Sequence, residues 1–160
     1  MKQSFEPVAD GNIRILILGS LPGEKSLSEN EYYAHPHNRF WKIIAHITGS
    51  NIPSNYSEKT KLLLDNRMGL WDVARKAHRE GSLDSNIKNE IPNKIDDFIV
   101  NHPDIEKICF NGKKAESMFF KFFEKKAGTE YVSLPSTSPA NARYDFEELC
   151  RIWKQILVNI

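Results

Sequence analysis

The chain has 160 residues and a mass of 18.4 kDa, with 22 Lys+Arg against 21 Asp+Glu, a net charge of +1 and a mean hydropathy of −0.50. No apolar run approaches the roughly 20 residues of a membrane helix, and residues 1–11 lack the apolar core of a signal peptide. The two cysteines, Cys109 and Cys150, exclude a disulfide scaffold, a four-cysteine zinc site and an iron–sulfur cluster. These features predict one domain over residues 1–160, a reducing cytoplasmic setting and no membrane partner. A chain of this length buries about 70% of the surface it exposes when unfolded.

Residues 1–11 are polar and read as irregular. Residues 14–18 form a nearly continuous aliphatic run closed by Gly19, the pattern of a strand buried on both faces. A loop over residues 20–37 follows. Phe40, Trp41, Ile43, Ile44 and Ile47 then recur at helical spacing, closed by Gly49. Residues 57–66 read as a second helix and 69–73 as a short strand. Residues 75–89 are charged and lack a clear period, which predicts a surface loop. A helix over 93–100 stops before His102-Pro103. Residues 105–110 are then a strand, leading through Asn111-Gly112 into a helix that ends near Gly128. Residues 131–134 read as the last strand, 135–143 as a loop, and 144–157 as a closing amphipathic helix.

Strand and helix alternate, so the fold class expected is α/β: a three-layer α/β/α sandwich around a mostly parallel sheet of about four strands. Ligands in such folds bind outside the carboxyl ends of the strands. Three loops leave those ends, beginning at Gly19, Asn111 and Pro135. A net charge of +1 neither demands nor excludes a nucleic-acid partner. The six lysines between residues 106 and 126 (Lys107, Lys113, Lys114, Lys121, Lys125 and Lys126) read as a solvated helix face.

The first loop opens Gly19, Ser20, Leu21, Pro22, Gly23, a tight turn that lets a ligand approach the backbone. It lacks the lysine of a P-loop and the spacing of a dinucleotide fingerprint. Tyr33, Ala34, His35, Pro36, His37, Asn38, Arg39, Phe40 and Trp41 crowd aromatics, an amide and histidines immediately before a helix. Tyr33 could stack on a nucleobase. Asn38 is either the cap of that helix or an amide that holds a water or a base edge. His35 and His37 have no third and fourth ligand nearby, so no metal is expected. Leu134, Pro135, Ser136, Thr137, Ser138, Pro139, Ala140 and Asn141 form a stiff polar loop. It either donates to DNA phosphates or uses Asn141 or Ser138 to cap the closing helix. Asn111 is either a turn residue or an amide reaching into the cleft. No nucleophile elbow and no paired-carboxylate site stands out; Asp72 is the acid near a strand end.

Together these segments resemble the uracil-DNA glycosylase superfamily, in order and spacing, from about residue 14 onward. Residues 19–23 look like the family's first motif and residues 134–142 like its second. Residues 33–41 are similar to the matching segment of the mismatch-specific uracil and thymine glycosylases. Those enzymes place a catalytic Asn where this chain has Leu21, which argues against uracil. The Tyr-Tyr-x-His-Pro-x-Asn-Arg-Phe-Trp segment instead resembles the hypoxanthine-DNA glycosylase branch, in which the Asn matching Asn38 is the catalytic candidate.

The resemblance implies a monofunctional glycosylase that removes a deaminated base, hypoxanthine first, from DNA, acts as a monomer and needs no cofactor. The alternatives are a uracil or xanthine glycosylase and a non-catalytic lesion-binding module. Asn38 would orient the attacking water. Gly19, Ser20, Leu21, Pro22, Tyr33, His35 and Asn111 would bind the flipped base. Ser136, Thr137, Ser138, Pro139 and Asn141 would approach the DNA strand.

Overall fold

Ile15, Leu16, Ile17 and Leu18 are all fully buried, yet they serve two different cores. Successive side chains of a strand point to opposite faces. Ile15 and Ile17 pack with Phe40, Ile44 and Trp153, whereas Leu16 and Leu18 pack with Phe98, Met118 and Phe119. A strand buried this way on both faces is the centre of a three-layer sandwich.

The computed structural model describes residues 1–159. Its first half runs β1 (Lys2–Gln3), β2 (Ile15–Gly19), α1 (Glu24–Glu29), α2 (Phe40–Ile47), α3 (Tyr56–Asp65), β3 (Met68–Asp72) and β4 (Ala74–His78). The second half runs β5 (Lys88–Pro92), α4 (Ile95–Val100), β6 (Lys107–Asn111), α5 (Lys113–Phe122), β7 (Glu130–Leu134) and α6 (Phe146–Trp153). The main sheet has the order β3-β2-β6-β7 and every neighbouring pair is parallel. Helices α2, α3 and α6 cover one face, and α4 and α5 the other. The α/β/α class and the four parallel strands agree with the sequence pattern.

Register positions everything that follows. Gly19 is paired with Asp72, Leu18 with Phe110, and Asn111 with Leu134. The carboxyl ends of the four strands therefore finish at one edge of the sheet, where their loops converge.

The structure corrects several readings. The segment 75–89 is not a surface loop throughout: β4 pairs antiparallel with β5 and with β1 in a small second sheet. Only Ala74 and Ala77 of β4 are buried, and β5 is mostly exposed, so no apolar alternation announces these strands. Their pairing is supplied by partners distant in the chain. For the same reason the N-terminal residues are fastened rather than irregular. Ser4 N donates to Arg75 O at 2.9 Å, Val8 bridges Leu70, and Trp71 Nε1 donates to Phe5 O at 3.0 Å. Helix α1 lies within the segment read as the first loop, and α5 ends at Phe122, well before Gly128. The closing helix is capped by Asp145, whose carboxylate accepts from Glu148 N at 2.8 Å, not by Asn141 or Ser138.

Lys107 departs from the solvated lysine face altogether. It is 3% exposed on β6, and its ammonium donates to the carbonyls of Gln155, Ile156 and Val158 in the turn after α6. Those carbonyls lie at the negative end of a helix; Gln155 O also accepts from Val158 N at 3.2 Å. Lys107 thus ties the end of the chain to the central sheet. Lys107→Met keeps the stem's volume and removes the donor to the carbonyl of buried Ile156. Its unfolding midpoint in denaturant should fall at unchanged slope, by about 1–3 kcal/mol in stability.

Candidate nucleobase and DNA site

A cleft of about 930 Å³ opens at the carboxyl edge of the sheet, lined by the first-motif turn, Tyr33, His35, Asn38, Asp72, Asn111 and the 135–141 loop. One hydrogen-bond network joins its walls. Asn111 Oδ1 accepts from Thr137 N at 3.0 Å, which fixes the orientation of the Asn111 amide. Its Nδ2 then donates to Tyr33 Oη at 2.9 Å and Thr137 Oγ1 at 3.1 Å. Thr137 Oγ1 donates in turn to Asn38 Oδ1 at 2.9 Å.

Asn38 resolves its two sequence readings by dividing its amide between them. Oδ1 accepts from Phe40 N at 3.0 Å, in the first turn of α2, as well as from Thr137. With both oxygen lone pairs committed, Nδ2 is left without a protein partner among the described residues. The capping interaction fixes the rotamer, and the free N–H group belongs to the cleft.

Arg39 binds the same two segments together through their backbones. Its guanidinium donates to Tyr144 O at 2.7 Å, Asn141 O at 2.9 Å and Ser138 O at 3.0 Å. Arg39 N also donates to Thr137 O at 3.1 Å. Within the loop, Asn141 Nδ2 donates to Ser136 O, Ser138 N to Ser136 Oγ, and Ala140 N to Ser138 Oγ. Pro139 is exposed at its tip. Thr137 is fully buried and reaches no solvent, so its place is inside the network and not on DNA. Asn111 is likewise internal: both amide hydrogens are committed to Tyr33 and Thr137.

Tyr33 takes a positive φ of 55° and lays one face on Phe40, with ring centroids 4.3 Å apart and planes 25° apart. Burial pushes its phenol well above the ordinary range, with Asp72 adding to the shift. Glycine is required beside it. A Cβ on Gly19 would stand 2.5 Å from Asp72 Oδ1 and 2.8 Å from Tyr33 Oη. In the first-motif turn the carbonyls of Gly19 and Ser20 accept from Val73 N and Ala74 N. Those of Leu21 and Pro22 accept from Arg79. The N–H of Leu21 has no acceptor among the described residues. His35 is exposed at the rim, and its Nδ1 accepts from His37 N at 3.0 Å, leaving Nε2 as the donor. Lys25, Lys113, Lys114 and Arg143 also line the opening.

The sequence reading noted Asp72 as the acid near a strand end without giving it a role, and it missed Arg79 and Asp84. Asp72, at the end of β3, is 3% exposed, and Arg79 and Asp84 reach the cleft from the β4–β5 hairpin. Arg79 lies 3.7 Å from Asp84, which also accepts from Ser20 Oγ at 2.7 Å. The register that sets Asp72 level with Gly19 emerges only in the structure. Arg79 and Asp84 carried no signal, because their hairpin has no apolar pattern.

The carboxyl edge of the parallel sheet thus gathers an aromatic, two amides joined through Thr137 and a Pro-Ser-Thr-Ser-Pro loop in one cleft. The sequence matches the profile of the Uracil DNA glycosylase superfamily over residues 6–157, and the chain belongs to that family. It is 41% identical over 145 residues to the hypoxanthine DNA glycosylase of Methanosarcina acetivorans, covering 90% of each chain. Identity to the protein of the same name from Methanosarcina barkeri is 41% over 143 residues, 89% of each. The fold matches the solution NMR structure of a Methanosarcina acetivorans protein described as a candidate uracil DNA glycosylase. The TM-score is 0.82 at 39% identity, covering 98% of this chain and 96% of that one.

Thr137→Val preserves shape but removes the hydroxyl that links Asn111 to Asn38. One Asn111 N–H is then left unpaired in the interior, so stability should fall by about 1–3 kcal/mol in equilibrium unfolding. Unchanged stability would show the link to be energetically idle.

Proposed function

We propose that this protein is a monofunctional DNA glycosylase that hydrolyses the N-glycosidic bond of deoxyinosine in DNA, releasing hypoxanthine and leaving an abasic site. The observation that carries this reading is the Asn38–Thr137–Asn111–Tyr33 network, which links an aromatic and an amide with an uncommitted N–H in the lining of one cleft. The hypoxanthine DNA glycosylase relatives, at 41% identity over nine-tenths of the chain, support the choice of base.

The target nucleotide must leave the stack before its glycosidic bond can be reached, and a deaminated, mispaired base lowers that cost. Tyr33, backed by Phe40, stacks on the flipped base, a contact worth about 1–3 kcal/mol. The N–H of Leu21 donates to the base edge. Bond cleavage develops positive charge on the sugar and negative charge on the base, so donors aimed at the base stabilise the transition state. Asn38 cannot act as a base at neutral pH. Its Nδ2 holds the attacking water near the anomeric carbon, a positioning contribution. Asn111 is a positioning residue that holds Tyr33 and Thr137. Ser136, Ser138 and Asn141 face the phosphates, with Lys113, Lys114 and Arg143 supplying positive charge around the opening. Leu21, 6% exposed in the second core, occupies the place of the amide that the mismatch-specific enzymes use. Uracil is therefore the poorer substrate.

The test uses a labelled duplex with one deoxyinosine and a matched uracil duplex, each treated with alkali after incubation. Cleavage should occur at inosine far faster than at uracil, and only after alkali. Asn38→Ala should lower the single-turnover rate about 100-fold or more while duplex affinity stays within a few-fold. Equal loss of rate, affinity and fold would reduce Asn38 to a helix cap. No alkali-labile site on the inosine duplex would overturn the reading.

A further inference from the structure

The side chain of Asp72 has no part in the chemistry described so far. It stands beside the first-motif turn, because β3 is paired with β2 so that Asp72 is level with Gly19. Its Oδ2 is buried without a hydrogen-bond partner, and the residue lines the cleft next to Tyr33. A buried carboxylate with no donor is strongly disfavoured; such a group keeps its proton instead. The nearest cation does not rescue the ion. Arg79 turns its guanidinium to the carbonyls of Leu21 and Pro22 and to Asp84.

The titratable groups that face Asp72 all bear on this balance. From the segment before α2 come Tyr32 and Tyr33, from α3 Tyr56, and from the hairpin Arg79 and Asp84. The tyrosines are uncharged. Burial, reinforced by Asp84 and opposed by Arg79, pushes the Asp72 carboxyl up to about 8. At neutral pH it is an O–H donor in the wall of the cleft, which a carboxylate cannot be.

We propose that Asp72 is a second catalytic residue, which in its carboxylic acid form donates its proton to a ring nitrogen of the flipped purine as that base departs. The proposal rests on the reading of this protein as a glycosylase that releases hypoxanthine. The C1′–N9 bond breaks and its electron pair passes to the purine, while the Asp72 proton moves to purine N7 or N3. Water adds to C1′ and loses a proton to solvent, and Asp72 is reprotonated from solvent. The products are neutral hypoxanthine and an abasic sugar. Uracil presents only weakly basic carbonyl oxygens in place of those ring nitrogens, so the same acid favours a purine over uracil.

Two measurements test the proposal. The first is a carbon NMR titration of the free wild-type protein with labelled aspartate carboxyls. One carboxyl should titrate near pH 8; if every aspartate titrates near pH 4, the proposal is overturned whatever any variant does. The second is single-turnover release from the inosine duplex across pH. The wild-type rate should fall tenfold per unit above about pH 8. Asp72→Asn should lower the rate at pH 7 about 100-fold and flatten the profile, with duplex affinity within about threefold. A merely structural Asp72 would leave the shape of the profile unchanged. Duplexes carrying 7-deaza- or 3-deaza-deoxyinosine identify the accepting nitrogen by which one resists release. Release of both at the inosine rate overturns the proposal. Activity retained in Asp72→Asn sinks this proposal alone, whereas a wild-type protein inactive on inosine sinks the glycosylase reading with it.

Discussion

The Thr137 hydroxyl accepts a hydrogen bond from Asn111 and donates one to Asn38, joining residues 26 and 99 positions apart in the chain. Three loops that leave the sheet at different strands become one rigid wall through this single buried group. Its backbone N–H closes the arrangement by donating to Asn111 Oδ1. A buried network of this kind holds a unique geometry because every internal alternative leaves a polar group unpaired in a medium that does not screen it. Arg39 acts in parallel by binding three carbonyls of the second-motif region through one planar fork. A site whose amide and aromatic are held before the ligand arrives loses little in ordering them later.

Charge in the cleft follows a separate logic. The lining carries Lys25, Lys113, Lys114 and Arg143 against Glu24 and Glu116, and this basic excess suits a phosphate backbone. Deeper in, a carboxyl and a guanidinium are buried beside the first-motif turn, where solvation no longer favours the ions. The small antiparallel sheet makes this possible, since its hairpin carries Arg79 and Asp84 to the cleft. A peripheral sheet with an unremarkable sequence thus sets the electrostatics of the interior.

The main strands and helices were legible because they are driven by burial. The all-aliphatic run before Gly19 can be stable only between two apolar layers, and helices with Trp41, Ile44, Phe119 and Trp153 on one side supply those layers. The Gly19 turn, the His-Pro-His-Asn-Arg segment and the Pro-Ser-Thr-Ser-Pro loop were legible as loops with unusual chemistry. Strands β4 and β5 were not, because only two alanines of β4 turn inward and β5 shows no alternation. Lys107 was misread for a related reason. Its surroundings in sequence are those of a surface lysine, and only the turn after α6, 48 residues away, gives it carbonyls to cap.

What the sequence determined by itself was the layer architecture, the order of its elements and the three loops that gather at one edge. Burial periodicity and turn chemistry are local, so they survive in a linear reading. Which atoms of those loops meet was decided only in three dimensions. Asn38 could be read as a cap or as a functional amide, and the tertiary structure assigns its oxygen to the first role and its nitrogen to the cleft. Thr137 looked like a residue for DNA and is fully buried instead, while Asp72 looked ordinary and is a carboxyl without a partner. The reason is physical: hydrogen-bond commitments and desolvation depend on neighbours from distant parts of the chain, and no spacing along the chain encodes them.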